Sequence, residues 1–153
     1  GEIFYVSKRI GYKSNIFNMY KFRTMKIESP EVATHLLDSQ DQYITRFGYF
    51  LRRFSLDEIP QLLNILKGDM TFIGPRPALF NQYDLINLRK KNFIDLIKPG
   101  ITGWAQINGR DNLTIEEKVE MDAYYYQNKS LRLNLKIFFL TIYSVFKAKD
   151  IKH

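Results

Sequence analysis

The stretch FSLDEIPQLLNILKGDMTFIGPRP, residues 54–77, sets two adjacent carboxylates near one end and an arginine between prolines near the other. The acids are Asp57 and Glu58, and the arginine is Arg76. LDEIPQLLNILKG reads as a helix with Gly68 as its C-terminal stop. Its start has two readings. Ser55 followed three residues on by Glu58 is a capping-box pattern, and acids suit the first turn of a helix. Pro60 would then sit inside the helix and delete a backbone hydrogen bond. A helix that begins at Pro60 avoids this loss and leaves Asp57 and Glu58 in the entry turn. A carboxylate placed there can attack phosphorus, and its neighbour can ligate Mg²⁺. GPRP also has two readings. One is a rigid turn. The other is that the prolines fix the backbone around Arg76, so that its guanidinium binds phosphate oxygens at lower ordering cost.

Upstream, EIFYVSKRIGYKSNIFNMYKFRTM reads as a β-hairpin turning at GYKSN. Lys21 and Arg23 stand two apart and so share a strand face, either toward a ligand or toward solvent. Residues 26–46 are polar and mixed, a loop with a helical portion. Downstream, MTFIG reads as a short strand and ALFNQYDLINLRKKN as an amphipathic helix. KPGITGWAQINGR reads as an extended, glycine-punctuated segment ending at Arg110. It matches neither a P-loop nor a dinucleotide fingerprint, and on its own it reads more simply as a strand-loop packed by Trp104. LTIEEKVEMDAYYYQN reads as a helix opening on a capping box, Thr114 with Glu117. The closing LRLNLKIFFLTIYSVFKAK carries an apolar run from Leu135 to Phe146, of the length class of a buried or interfacial helix. Arg52 and Arg53, and Arg89 to Lys91, read as solvated faces. Tyr124 to Tyr126 read as core and rim. Together these elements predict one α+β domain over residues 1–153, mostly helical, with a small antiparallel sheet.

The composition narrows the chemistry. The 153 residues fit one domain with a real core, and 45% are hydrophobic. There is no cysteine, which excludes disulfides and thiolate catalysis. The two histidines, His35 and His153, leave no multi-histidine zinc site and little room for a Ser-His-Asp triad. Polar chemistry must therefore rest on carboxylates, Arg/Lys, hydroxyls or a hard metal. The net charge of +7 suits solubility or an anionic partner. Its spread along the chain weakens the case for nucleic acid, and none is expected as a partner. No apolar run reaches the roughly 18 residues of a membrane-spanning helix.

Taken together and in order, YKFRTM, RRFSLDEIPQLLNILKGDMTFIGPRP, KPGITGWAQINGR and EEKVEMDAYYYQN resemble the bacterial sugar transferases, the monotopic polyprenyl-phosphate phosphoglycosyltransferases. The resemblance runs from Gly1 to about Lys147. It implies transfer of a phosphosugar from a UDP-sugar to a polyprenyl phosphate, usually undecaprenyl phosphate, with Mg²⁺ and a covalent enzyme intermediate. It implies Asp57 as nucleophile and Glu58 as Mg²⁺ ligand. Arg76 and Arg110 match arginines facing the nucleotide diphosphate, and Asp122 matches a further acidic position. Lys21 and Arg23 are added as phosphate-binding candidates. The family also has an apolar N-terminal segment that dips into the membrane, and this sequence starts just past where that segment should end. The expected setting is accordingly the cytoplasmic face of a bacterial membrane, with the sequence a fragment able to be soluble. A basic, non-catalytic module binding anionic lipid or nucleic acid is the competing reading, and an inactive regulatory partner of a full-length transferase is a third.

Overall fold

A computed structural model describes residues 3–27, 29, 40–109 and 112–147. Strands β1 (Phe4–Ile10) and β2 (Ile16–Phe22) form the antiparallel hairpin, in register from Phe4 opposite Phe22 to Ile10 opposite Ile16. The turn between them is a short 3₁₀ segment, Tyr12–Ser14, with Lys13 and Ser14 in the left-handed region. Then follow α1 (Gln40–Tyr43) and α2 (Arg46–Arg53), the second capped by the Thr45 hydroxyl accepting from the Gly48 amide.

The acid-bearing stretch is not one α-helix. A 3₁₀ segment spans Leu56–Gln61 and passes into α3 (Leu62–Leu66). Ser55 lies in the left-handed region at φ 54° and makes no side-chain cap, so the Ser55–Glu58 capping box does not form. Asp57 and Glu58 sit instead in an entry turn, ahead of the regular helix. Gly68, at φ +82°, ends it as expected.

Strand β3 (Thr71–Ile73) pairs with β4 (Gly100–Thr102), and the pairing is parallel, a second small sheet beyond the predicted hairpin. Here the backbones nearly touch. A Cβ on Gly100 would stand 2.1 Å from the Gly74 nitrogen, and one on Gly103 would stand 2.1 Å from the Gly74 carbonyl oxygen. The glycine punctuation of GITGW thus admits the Gly74 backbone. The extended reading of that segment holds only as far as Thr102, because α5 (Trp104–Ile107) follows directly.

Helix α4 (Tyr83–Lys91) starts later than its amphipathic pattern suggests. Ala78 and Leu79 instead meet β1: the Ile10 amide donates to the Ala78 carbonyl, and Arg9 and Leu79 form an isolated bridge. A 3₁₀ turn follows at Ile94–Leu96. Helix α6 (Ile115–Asn128) opens on the predicted capping box, with both Thr114–Glu117 bonds present. The chain closes on α7 (Leu131–Lys147). Ala78, Leu85, Ile94 and Val119 form the main core cluster, with Ile10 and Ala123 packed against it. No helix among the described residues is long and apolar enough to cross a membrane.

Asn64 locks α3 to the hairpin. It is fully buried, and its side chain accepts from the Tyr20 amide at 3.1 Å and donates to the Asn18 carbonyl at 2.7 Å. Asn64→Leu keeps the volume but strands both backbone groups. The expected cost is roughly 3 kcal/mol, read as a lower urea midpoint at unchanged slope.

Candidate active site

The hairpin, the acid turn and the Pro75–Pro77 turn converge on the Glu58 carboxylate. Lys21, on β2, reaches Glu58 Oε1 at 2.8 Å and Asp57 Oδ2 at 3.8 Å. Arg76 sends Nη1 and Nη2 to the same Oε1 at 3.1 and 3.2 Å. Three segments that are remote in sequence thus meet at one oxygen. The Glu58 and Lys21 side chains are largely buried there, whereas Arg76 is about a third exposed.

Burial and charge set the character of these groups. Burial pushes the Asp57 carboxyl up from its ordinary range; Lys21, Arg52 and Arg76 pull against it, while Glu58 adds to the push. Burial pushes the Lys21 ammonium down, opposed by Glu58 and Asp57. Arg9 is pushed down to about 10 by burial and by the neighbouring Arg76. Arg52, held through Nε by the Thr24 hydroxyl at 2.9 Å, is lowered by burial and raised in part by Asp57. Four cations, Lys21, Arg9, Arg52 and Arg76, therefore act on two carboxylates. Among the described residues the cations thus outnumber the acids by two, which suits an anionic ligand.

The donor set also fits a hard cation. Among the described residues no group of three or more His, Cys, Asp or Glu is placed to hold a metal. Mg²⁺ does not require one, because it is commonly bound by one or two carboxylates with phosphate oxygens and water completing its shell. The all-oxygen pair Asp57–Glu58 is of that type.

Not every sequence candidate joins this cluster. Arg23 lies over the Tyr5 ring, 5.8 Å from its centroid, and reaches the Phe4 carbonyl at 3.4 Å. Arg110 lies outside the described residues, as does His35. Asp122 is buried in α6 and accepts from Arg89 Nε at 3.0 Å and Nη2 at 2.6 Å. Burial pushes its carboxyl up and the Arg89 fork pulls it back. Arg89 is therefore no solvated residue, as its place in the Arg89–Lys91 run suggests, but half of a buried ion pair. Arg52 is likewise no solvated face: it is partly buried and its Nε donates to the Thr24 hydroxyl, near enough to Asp57 for each to influence the other's charge. Nothing in the sequence pattern singles out Arg9. No spacing rule marks Arg9 or Arg89, because Pro77, held by Arg9, and Asp122, held by Arg89, lie far along the chain.

Removing Asp122 would leave Arg89 buried without its carboxylate. Asp122→Ala is expected to destabilise the fold by about 3–5 kcal/mol. Glu58→Gln keeps an acceptor oxygen for Lys21 and Arg76 and leaves Asp57 beside Lys21, so it should cost less. Chemical denaturation of the two variants side by side checks this, and a wild-type midpoint for Asp122→Ala would contradict it.

A family model described as bacterial sugar transferase matches residues 1–148. The uncharacterized sugar transferase EpsL of Bacillus subtilis (strain 168) is 41% identical over 150 residues, covering 98% of this chain and 73% of that protein. The galactosyl transferase CpsE of Streptococcus agalactiae is 36% identical, covering 93% of the chain and 34% of that protein. The UDP-glucose:undecaprenyl-phosphate glucose-1-phosphate transferase of Escherichia coli (strain K12) is 41% identical, covering 97% of the chain and 34% of that protein. The chain thus spans about a third of the length of the last two.

Proposed function

The chain belongs to the bacterial sugar transferases, and from that premise we propose that it transfers a sugar phosphate from a UDP-sugar to a polyprenyl phosphate such as undecaprenyl phosphate, by way of a covalent intermediate on Asp57. The observation that carries this reading is the convergence of Lys21 and Arg76 on the Asp57–Glu58 turn. A carboxylate cannot approach an anionic diphosphate unless cations neutralise both, and this site surrounds its acids with them.

In the first step an Asp57 carboxylate oxygen attacks the sugar-bearing phosphorus. The bond from that phosphorus to the bridging oxygen breaks, UMP leaves with the electron pair, and the phosphosugar remains on Asp57 as an acyl phosphate. In the second step a phosphate oxygen of the polyprenyl phosphate attacks the same phosphorus. The bond to Asp57 breaks, the carboxylate is restored, and the sugar leaves on a polyprenyl diphosphate. An ionised carboxylate needs no general base, which accords with a site built without histidine among the described residues. Lys21 holds the acid pair in place, and Arg76 grips phosphate oxygens from the exposed side. Glu58 would hold Mg²⁺, which supplies further positive charge to the phosphates when bound.

The lipid acceptor requires access to a bilayer. Helix α7 offers exposed Leu135, Phe138, Phe139, Tyr143 and Phe146, with Arg132, Lys136 and Lys147 among them and no acid from Leu131 to Lys147. Such a basic, aromatic face suits an anionic interface at the cytoplasmic side of the membrane. Phe139→Ser with Tyr143→Ser should lower co-sedimentation with anionic vesicles several-fold without moving the unfolding midpoint. Equal binding by the double variant would remove α7 as the contact.

The test of the activity itself is UMP release from a panel of UDP-sugars with Mg²⁺. Wild type should release UMP from at least one, and Asp57→Asn should fall to background. Full release by Asp57→Asn would exclude Asp57 as nucleophile. A basic binding module would release none and would bind anionic vesicles or oligonucleotides whether or not the acid pair is intact.

A further inference from the structure

Arg76 has to present its guanidinium at a fixed place, yet its side chain is partly exposed and long. Flanking prolines restrict the backbone dihedrals next to it. They do not fix where the whole turn sits relative to the acid pair. Two other arginines do that. Arg89, from α4, donates Nη1 to the carbonyl of Arg76 itself at 2.7 Å. Arg9, from β1, donates Nη1 to the carbonyl of the next residue, Pro77, at 3.2 Å. Two consecutive carbonyls of the turn are therefore gripped from different elements.

Each grip has its own anchor. The Nε and Nη2 atoms of Arg89 are bound to the buried Asp122 carboxylate, so its third donor is aimed by a fork already fixed. Arg9 Nε donates to the Ser7 hydroxyl at 3.2 Å, two residues back on the same strand face. Among the described residues, the hydrogen bonds of both arginines go to Ser7, Pro77, Asp122 and Arg76 and not to the acid pair. Burial, and then repulsion from the nearby Arg76, lowers the pKa of Arg9. Arg89 brings its own carboxylate, Asp122, but burying Arg9 beside Arg76 has an electrostatic cost. That cost makes sense where the planar, multi-donor guanidinium is needed to hold main-chain carbonyls.

We propose that Arg9 and Arg89 are positioning residues: they hold the Pro75–Pro77 turn by two consecutive carbonyls and so keep the Arg76 guanidinium on Glu58, with Asp122 acting through Arg89. This rests on reading the acid pair as the phosphosugar-transfer centre, and it accounts for Asp122 without giving it any contact with substrate. Lysine in either position keeps the charge and loses the fork. It cannot reach both anchor and carbonyl.

The test uses Arg9→Lys, Arg89→Lys and the apolar exchange Arg89→Met with Asp122→Leu, which removes both charges of the buried pair together and protects the fold against an orphaned ion. The first readout is the side-chain NMR spectrum of ¹⁵N-arginine-labelled protein. Arg76 bound to Glu58 should give slowed Nη resonances, assigned by their loss in Arg76→Lys. The second is UMP release, expected to fall about 100-fold, mostly in kcat, when the guanidinium is misplaced by about an ångström. Backbone amide spectra identify variants that remain folded. Loss of the Arg76 signal in folded Arg9→Lys, together with either Arg89 variant, supports the assignment. Persistence of that signal in the folded variants overturns it. If wild type releases no UMP from any donor while the Arg76 signal still depends on Arg9 and Arg89, the positioning role stands and the transferase reading fails.

Discussion

One carboxylate oxygen organises the molecule. Glu58 Oε1 takes Lys21 from the hairpin and both terminal nitrogens of Arg76. A largely buried carboxylate with an ordinary single partner would be a liability, because desolvation costs several kcal/mol per ion. Here the acid is matched by more cationic charge than it carries. The surplus makes the site attractive to an anion, and the same surplus keeps the adjacent Asp57 from being pushed still further toward its neutral form. The interaction that joins three remote segments is thus also the one that, in the proposed transfer, would prepare the site for a phosphate ligand.

The surrounding fold reads as support for that junction. Asn64 fastens the helix behind the acid turn to β2, the strand that delivers Lys21. The parallel pair β3–β4 leads into Gly74 and holds the start of the arginine turn, since the Gly74 amide donates to Thr102 and the Gly100 amide to Pro75. Arg9 and Arg89 hold its far side. The main-chain path into and out of Arg76 is bonded on both flanks. This rigidity is what an electrostatically preorganised centre requires, because charges that must reorganise during reaction stabilise it less.

Much of this was legible locally. The hairpin follows from alternation and turn residues, the α6 start from Thr114 and Glu117, and the acid turn from the conflict between Pro60 and a regular helix. The unread parts depend on distance. Glu58 looked like a helix cap for Ser55, but its oxygen is taken by Lys21, 37 residues away in the chain. Arg89 looked solvated beside Lys90 and Lys91, because Asp122 lies 33 residues further on. The parallel pairing of Thr71–Ile73 with Gly100–Thr102 rests on two three-residue strands, too short to show a period. Motif chemistry leaves Asp57, Glu58, Lys21 and Arg76 with two readings each, the family resemblance singles out Asp57, Glu58 and Arg76, and the fold brings all four together in space. Arg23 turns toward the ring of Tyr5, a contact that shared strand parity does not reveal.

The most direct measurement is the intact-protein mass of wild type after incubation with Mg²⁺ and UDP-sugars in the absence of any lipid acceptor. The account predicts a gain of one phosphosugar, reversed when polyprenyl phosphate is added and absent in Asp57→Asn. UMP release and completed lipid product with no mass gain at any time, under quench conditions that preserve acyl phosphates, would contradict it and point to direct transfer between the two substrates.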